Sequence, residues 1–191
     1  MHSGLRAAQA LLFFVALPAL SDSARIEVDP DLRRKLINAI EEIDSFDDRF
    51  EAEVWLLDMS TRLKRRMPDT DKRLSLLKLV HREATRVDLP PELILAVIEV
   101  ESNFDRFAIS RVGAQGFMQI MTFWLDEIGH PEDNLIHART NIRMGCTILR
   151  HYIDFEKGDL RQGLARYNGS AGKRRYPDKV FNALSRRWYK N

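Results

Sequence analysis

Apolar residues recur at intervals of three and four along most of this 191-residue chain, and prolines and glycines fall between these stretches. Such spacing places apolar side chains on one face of an α-helix, whereas a half-buried strand needs apolar and polar residues to alternate. No alternating stretch of useful length occurs, and there is no internal repeat. The sequence therefore predicts an all-α fold, with room for one well-packed domain and a helical extension.

Prolines, glycines and short polar segments mark the expected ends of the helices. Proline suits the first turn of a helix, where the N–H that it lacks has no partner, but it breaks a helix later on. We expect helices over residues 29–43, 46–66, 70–87, from Pro90-Pro91 onward, 116–128, 136–156 and 160–167, and a basic helix from Asp178. In the second helix we expect Phe50, Val54 and Leu57 to face the core, and Trp55 is a further candidate. In the third helix the expected core residues are Leu74, Leu77 and either Val80 or His81.

The helix after Pro90-Pro91 carries an acid, Glu101, on its apolar side. In helical register Glu101 shares a face with Ile94, Val97 and Ile98, whereas Glu99 is expected to point away. An ionised carboxylate is costly to bury. Glu101 should therefore be paired, be kept protonated by a raised pKa, or lie at the wall of a cleft.

The first 21 residues have the features of a signal peptide. Arg6 precedes an apolar run over residues 7–20, and small residues stand before the expected cleavage site after Ser21. An uncleaved anchor is the alternative, although the run is shorter than the roughly 20 residues of a spanning helix. We expect export, to the periplasm in a Gram-negative source, and a helical extension over residues 22–70.

The charges are nearly balanced, with 30 basic and 28 acidic side chains and a formal net charge of +2. This balance argues against a general nucleic-acid-binding protein. The segment from Lys173 to Asn191 differs, because it holds seven basic residues against Asp178 alone. It is either a solvated helix face or a surface attracted to anionic wall polymer or membrane.

Cysteine and histidine usage predicts neither a disulfide nor a metal site. The single cysteine, Cys146, cannot form an internal disulfide, and it lies in a helical pattern where a buried free thiol is expected. The histidines show no metal-ligand spacing such as HExxH. We therefore expect no metal and no cofactor.

Two polar, glycine-bearing segments follow predicted buried helices: ESNFDRFAISRVGAQGFMQIM from Glu101 and ARYNGSAG from Ala165. Taken in order, Glu101-Ser102, Ser110, the run GAQGFMQ from Gly113, Asn141 with Gly145, and Tyr167-Asn168 resemble the catalytic domain of the soluble lytic transglycosylases. These enzymes cleave peptidoglycan and have a goose-lysozyme-like helical fold. The resemblance implies a lysozyme-like catalytic domain over residues 71–191, acting as a monomer on peptidoglycan strands.

The resemblance also implies roles for single residues. Glu101 would be the sole catalytic carboxylate, first protonating the MurNAc–GlcNAc β-1,4 bond and then acting as a base on the 6-hydroxyl of the muramic sugar. The sugar's own 2-acetamido group would be the nucleophile, and the product would carry a 1,6-anhydromuramyl end. The implied substrate-binding residues are Ser110, Met118, Gln119, Met121, Tyr167 and Asn168, with the hydroxyl of Tyr167 near Glu101.

Some positions depart from the family's pattern, and two other functions stay open. Thr122-Phe123 stands where a proline and a small residue are usual, and Arg166 brings a cation that could meet muropeptide carboxylates. If Asp105 faced Glu101 across about 5 to 9.5 Å, the pair would suit hydrolysis instead. The alternatives are therefore a hydrolytic lysozyme- or chitinase-like glycosidase, and a non-enzymatic cell-wall-binding module.

Overall fold

The computed structural model describes Arg34 and residues 48–189, and this part of the chain is helical. Its helices are α1 (Arg49–Leu63), α2 (Thr70–Arg86), α3 (Pro91–Ser102), α4 (Phe123–Ile128), α5 (Ala138–Phe155), α6 (Leu160–Tyr167) and α7 (Arg175–Ala183), followed by a π-helical turn, Leu184–Trp188. Between residues 48 and 189 the β-structure is confined to isolated bridges that join Gln115 to Ile109 and to Ile120. The prediction of an all-α fold is confirmed.

The central element is α3, whose middle turns are buried among neighbouring elements. All its residues from Leu93 to Ile98 are buried, so the helix is apolar around its whole circumference. It packs against α2, α7 and the π-helical turn. Pro91 stands in its first turn, and Asn103 ends it in the left-handed conformation with φ 50°. The last turn of α3, which carries Glu101, therefore emerges from the core into a loop.

The inward face of α1 differs from the prediction, whereas that of α2 is confirmed. Leu74, Leu77 and Val80 of α2 are buried. In α1, however, Phe50 and Val54 are 73% and 51% exposed, and the buried residues are Ala52, Leu56, Met59 and Leu63. Apolar residues are distributed around α1, so its sequence contains two apolar stripes. Packing against α2 and the π-helical turn buries the second stripe.

The helix predicted over residues 116–128 is also wrong in its first half. Residues 116–122 form turns, and α4 begins only at Phe123. Gly116 and Gln119 have positive φ angles of 75° and 49°, which a right-handed helix excludes. A Cβ on Gly116 would lie 2.6 Å from the carbonyl oxygen of Leu135, so the segment passes too close to its neighbour for any side chain.

Asn141 of α5 supplies the hydrogen bonds that this turn segment does not make within itself. Its side-chain oxygen accepts from the N–H of Met118 at 2.8 Å, and its amide donates to the carbonyls of Gln115 at 2.8 Å and Leu135 at 2.9 Å. Asn141 is 1% exposed. One buried amide thus fixes the segment that carries Gln119.

The other helix boundaries between residues 48 and 189 agree with the predicted ones to within a few residues. The last helix begins at Arg175 instead of Asp178, and α5 begins at Ala138. Among residues 48–189, no helix combines the length and the apolar character needed to cross a bilayer. The predicted signal peptide and nearly all of the predicted helix over residues 29–43 lie outside the described residues.

Candidate functional site

Two neighbouring cavities share Glu101 and Asn168 in their walls. The aromatic arm, about 430 Å³, is lined by Ser110, Gln119, Met121, Phe123, Trp124, Tyr152, Arg166 and Tyr167 among others. The basic arm, about 320 Å³, is lined by Val100, Ser170, Lys173, Arg175, Tyr176 and Lys179. Glu101 therefore stands between two arms of one cleft, where a chain molecule could reach it from both sides.

The Glu101 carboxyl is largely enclosed, and its Oε1 accepts a hydrogen bond from the Tyr176 hydroxyl at 2.6 Å. Burial raises the pKa of Glu101 to about 7, although the Tyr176 hydrogen bond and the charge of Lys179 oppose this rise. A carboxyl with this pKa is present in both protonation states near neutral pH. It can therefore give a proton in one step and accept one in the next.

Glu99 was expected to point away from the core, and this prediction is wrong. Its side chain is 7% exposed and pairs with Arg66 at 2.9 Å. Arg187 also pairs with it, donating through Nε at 2.8 Å, and the indole of Trp188 donates at 2.9 Å. The side of α3 that carries Glu99 packs against Arg66 and the π-helical turn, so it does not face solvent. Glu99 is bound as an ion pair, whereas Glu101 receives a neutral hydroxyl.

Tyr176 is a site residue that the sequence did not reveal. It lies 75 residues after Glu101, in the first turn of α7, outside the motifs of the resemblance. The expected partner of Glu101, Tyr167, instead donates its hydroxyl to the carbonyl of Met118 at 2.7 Å, while its ring lines the aromatic arm. Burial, with the nearby charge of Glu101, raises the pKa of both tyrosines well above the usual value. Both hydroxyls therefore stay protonated donors.

The predicted substrate-binding residues lie in the aromatic arm, except Met118. The Ser110 hydroxyl accepts from the N–H of Ala114 at 3.0 Å. The Gln119 amide donates to the carbonyls of Ala108 at 3.1 Å and Gly116 at 3.0 Å, which leaves its side-chain oxygen for a ligand. Met121 lines the same arm, and Asn168 lines both.

Met118 is fully buried beneath the cleft and lines neither arm. A Cβ on Gly145 of α5 would lie 2.8 Å from its Cε, so the absence of a side chain at Gly145 makes room for it. The Met118 side chain therefore packs against α5, while its backbone carbonyl holds Tyr167. Asn141 and Gly145, parts of the same resemblance, act on the cleft only through this segment.

The departures from the family's pattern form one wall of the aromatic arm. The rings of Phe123 and Trp124 lie 5.0 Å apart between centroids, and Trp124 meets Tyr152 edge-on at 6.4 Å. Phe123 is 51% exposed. Arg166 also lines this arm, but it pairs with Glu156 and lies over the ring of Phe155 at 4.5 Å. The wall is therefore an aromatic surface with one neutralised cation.

Asp105 lies outside both arms. It is exposed in the loop after α3, where its carboxylate accepts from the backbone N–H of Phe107 at 2.9 Å. This is the contact of a turn residue. Among the described residues that line the two arms, Glu101 is the only acid.

In the described part of the chain, neither Cys146 nor a metal cluster offers a second reactive centre. The Cys146 thiol is buried in α5, as predicted, and burial raises its pKa far above the usual value. Between residues 48 and 189 no group of three or more His, Cys, Asp or Glu side chains could hold a metal ion.

A third cavity, about 510 Å³, lies elsewhere, between α1, the start of α3 and Trp188-Tyr189. Two of its three acids are engaged, since Glu92 accepts from the Trp55 indole at 2.6 Å and Asp58 pairs with Arg62 at 2.6 Å. The third, Glu51, is exposed. Burial lowers the pKa of His81 to about 4, so this histidine is neutral at pH 7. We therefore place the candidate site at Glu101, whose pKa is raised toward neutral pH, and not at this cavity.

A family model described as Transglycosylase SLT domain matches residues 78–187. The transglycosylase of Enterobacteria phage PRD1 is 28% identical over 109 residues, which cover 53% of this chain and 40% of the phage protein. Membrane-bound lytic murein transglycosylase C of Yersinia pestis is 32% identical over 112 residues, covering 50% of this chain and 31% of the relative. The match thus spans about a third to two fifths of these curated relatives.

Solved structures of two bacterial proteins also resemble this chain. An inactive mutant of lytic transglycosylase Slt from Pseudomonas aeruginosa has a TM-score of 0.46 and 23% identity, covering 80% of this chain and 29% of that protein. The 70 kDa soluble lytic transglycosylase from Escherichia coli has a TM-score of 0.45 and 20% identity, covering 85% of this chain and 32% of that protein.

Proposed function

Since this chain belongs to the Transglycosylase SLT domain family, we propose that it is a peptidoglycan lytic transglycosylase with Glu101 as its catalytic acid and base. The observation that carries the proposal is the enclosed Glu101 carboxyl. It lies where the two arms of the cleft meet, and its pKa is raised to about 7. The phage and Yersinia relatives are both named transglycosylases, which supports the proposal.

In the first step, protonated Glu101 gives its proton to the oxygen of the MurNAc–GlcNAc β-1,4 bond. A glycosidic oxygen leaves poorly unless it is protonated, and a carboxyl with a raised pKa still holds a proton near neutral pH. As the bond to the anomeric carbon breaks, the carbonyl oxygen of the 2-acetamido group of MurNAc bonds to that carbon. Substrate assistance of this kind needs no second carboxylate, and neither arm contains one among the described residues.

In the second step, Glu101 takes the proton of the 6-hydroxyl of the same sugar while that oxygen attacks the anomeric carbon. The acetamido oxygen is released, Glu101 regains its proton, and a 1,6-anhydromuramyl end results. Tyr176 would hold Oε1 of Glu101 in place through both steps, since it is hydrogen-bonded to that oxygen. No net water is consumed.

The remaining residues of the aromatic arm would position the glycan. Sugar rings carry apolar C–H faces, and the aromatic rings of Phe123 and Trp124, which line the arm, suit them. Ser110, Gln119, Met121, Tyr167 and Asn168 would meet the sugars from the other sides. The Met118 side chain, which is buried beneath the cleft, would support the aromatic arm by packing and would not touch the glycan. We further propose that the protein acts as a monomer outside the cytoplasmic membrane, with residues 1–21 as its export signal.

The test is to digest purified sacculi with the protein and to determine the products by mass spectrometry. Anhydromuramyl ends, each one water lighter than the reducing form, are expected. Reducing muramic ends would instead establish a hydrolase, and a lack of cleavage together with sacculus binding would establish a binding module. A Glu101→Gln protein should bind sacculi but lose about a hundredfold to ten-thousandfold in turnover, because an amide has no proton to transfer. Substantial residual cleavage by that variant would exclude Glu101 as the acid.

A further inference from the structure

The third cavity, about 510 Å³, is a groove that follows one face of α1, and we call it the α1 groove. The α1 residues that line it include Phe50, Val54, Asp58 and Arg62, which are spaced four residues apart and so lie on one face of the helix. This face extends about 18 Å along the helix axis. A groove of this shape beside a helix is a surface on which a second, amphipathic helix can pack.

The described residues leave one apolar stripe of α1 uncovered. The second stripe, which includes Leu56 and Leu63, is buried against α2 and the π-helical turn. Phe50 and Val54 of the first stripe line the α1 groove, and they are 73% and 51% exposed. Large apolar side chains that share an exposed groove mark a surface that contacts another segment or molecule. The two stripes of α1 therefore indicate two contact surfaces, of which the described residues account for one.

The segment before α1 has a pattern complementary to the groove. In DPDLRRKLINAIEEI, residues 29–43, one face of a helix would hold the apolar residues Leu32, Leu36, Ile40 and Ile43. Arg34 falls on the opposite face of this helix, and the structure shows Arg34 in helical conformation and exposed. A helix over these residues would be about 22 Å long, close to the length of the α1 groove.

The link between this segment and α1 is short enough for the chain to reverse direction. Residues 44–47 are Asp-Ser-Phe-Asp, and the next residue, Asp48, is the N-cap of α1. Antiparallel helices are commonly joined by about two to five residues, and Asp and Ser favour turns. A short tether also gives the segment an effective concentration of about millimolar order at the groove. This favours the chain's own segment over a separate molecule.

The charges fit an antiparallel arrangement. With Ile43 beside Phe50 and Ile40 beside Val54, the same register brings Lys35 beside Asp58. Asp58 pairs with Arg62, but its side chain is 46% exposed, so its carboxylate can accept from a second cation. A parallel arrangement would instead need a link long enough to span the groove, and residues 44–47 are too few for that.

We propose that residues 29–43 form a helix that packs antiparallel to α1 in the α1 groove, with Ile40 and Ile43 over Val54 and Phe50. The groove is then the seam between two helices of one folded unit and not a ligand site. Phe50 and Val54 face an apolar partner, as their spacing predicts, but the partner is this helix instead of α2. The inference does not depend on the activity at Glu101.

The test introduces pairs of cysteines into the full chain. The double substitution Ile40→Cys and Val54→Cys places one thiol on each apolar face. Its matched control is Asn38→Cys with Val54→Cys, because residue 38 lies on the opposite side of the proposed helix. Cys146 does not interfere, since its thiol is buried and its pKa is far above the usual value.

After mild oxidation, peptide mapping by mass spectrometry should find an internal disulfide in the first pair. The control pair should form about tenfold less, because a disulfide needs Cα atoms within about 7 Å of each other. A disulfide between two molecules would assign the groove to the segment of a second copy and overturn the inference. Equal crosslinking in both pairs, or none in either, would also overturn it.

Hydrogen exchange tests the same contact without new thiols. Amides of residues 33–43 should be protected in the wild-type protein, and Val54→Asp should lower that protection at least about tenfold while the centre of α3 keeps its own. Thr61→Asp is the control, since Thr61 is an exposed α1 residue that does not line the groove, and it should keep the protection. Unprotected amides at residues 33–43 in the wild-type protein, or an equal loss in both variants, would contradict the proposed packing.

Discussion

Glu99 and Glu101 lie on the same helix, yet the protein stabilises them in different ways. Arg66, Arg187 and the Trp188 indole surround Glu99, so its ionised form is bound. Glu101 receives one hydroxyl and has only Lys179 as a cation acting on it. The difference predicts opposite results for the same substitution at the two sites.

Glu101→Gln should make the folded protein more stable at alkaline pH. With a pKa raised from 4.5 to about 7, Glu101 binds a proton in the folded state that the unfolded chain releases, so the free energy of unfolding falls as pH rises through this window. Above pH 7 the ionised, enclosed carboxylate lowers the free energy of unfolding by about 3 kcal/mol, and an amide at this position avoids that loss. Denaturant titrations should show the variant about 1–3 kcal/mol more stable than wild type at pH 8. The two should be nearly equal at pH 4.5.

Glu99→Gln is the matched control and should destabilise the protein. The substitution leaves two arginines without their anion, but Arg66 and Arg187 are 26% and 44% exposed, so water replaces part of the contact. We expect a loss of about 1–2 kcal/mol at pH 8, less than for a fully buried pair. If both glutamine variants shifted stability in the same direction, the assignment of a raised pKa to Glu101 alone would be wrong.

Tyr176→Phe should change the pH dependence of cleavage. The Tyr176 hydroxyl favours the ionised form of Glu101, and its removal raises the pKa of that carboxyl further. A hydrogen bond to a charged group is worth about 1.5–3 kcal/mol, which corresponds to about 1 to 2 pH units. The alkaline limb of kcat/KM should move up by that amount. Tyr189→Phe, outside both arms, should leave the profile unchanged, and a downward shift in Tyr176→Phe would contradict the assigned hydrogen bond.

At the scale of elements, the segment from Gln115 to Met121 owes its shape to one side chain of another helix. Asn141→Ala removes three hydrogen bonds and leaves the N–H of Met118 without its partner. A buried group left unsatisfied costs about 1–3 kcal/mol, so we expect a stability loss of about 2–4 kcal/mol. Turnover should fall, since Gln119 and the Tyr167 contact on Met118 both depend on the segment.

Hydrogen exchange would locate the effect of Asn141→Ala. Amides of residues 115–121 should lose protection, while those of α2 and the centre of α3 should keep it when the variant is folded. Asn134→Ala, which removes an exposed turn contact to the N–H of Ile136, is the control and should change stability by less than about 1 kcal/mol. Uniform loss of protection across all helices would mean that Asn141 supports the whole core instead of one segment.

The elements that the sequence predicted well are those with a single interpretation of their pattern. Leu74, Leu77 and Val80 form one stripe on α2, and Pro91 and Asn103 bound α3. In α1 two stripes compete, and only the neighbouring helices decide between them. The apolar run after Gly116 was predicted as a helix because the effect of Asn141, distant in sequence, is absent from local periodicity.

At the scale of the whole molecule, the cleft assembles parts from distant regions of the chain: α3, the loop after it, the end of α6 and α7. Ordered motifs identified Glu101 and most of the aromatic arm. They could not identify Tyr176 or Lys179, because side chains 75 or more residues away in sequence meet Glu101 only when α7 packs against α3. They also did not reveal that Glu99 is paired with Arg66 and Arg187.

The C-terminal turn ties several of these elements together through Trp188. Its side chain is 2% exposed, its ring lies 5.6 Å from that of Phe104 in the loop after α3, and its indole donates to Glu99. The carbonyl of the neighbouring Arg187 accepts from Arg62 of α1 at 2.7 Å. Trp188 thus packs where α1, α3 and the loop toward the cleft come together.

Trp188→Ala should therefore weaken both the core and the cleft. Removing a buried tryptophan side chain costs about 3–5 kcal/mol, and the loss should appear as one cooperative transition if α1 belongs to the same core as α3. Trp188→Phe should lose only about half as much stability as Trp188→Ala, because a phenyl ring refills the space beside Phe104 but cannot donate a hydrogen bond to Glu99. Thermal unfolding followed by circular dichroism and by cleavage activity should give the same midpoint in each variant. Separate midpoints in Trp188→Ala, with activity surviving the first transition, would mean that α1 unfolds apart from the helices around Glu101 and that Trp188 stabilises only α1.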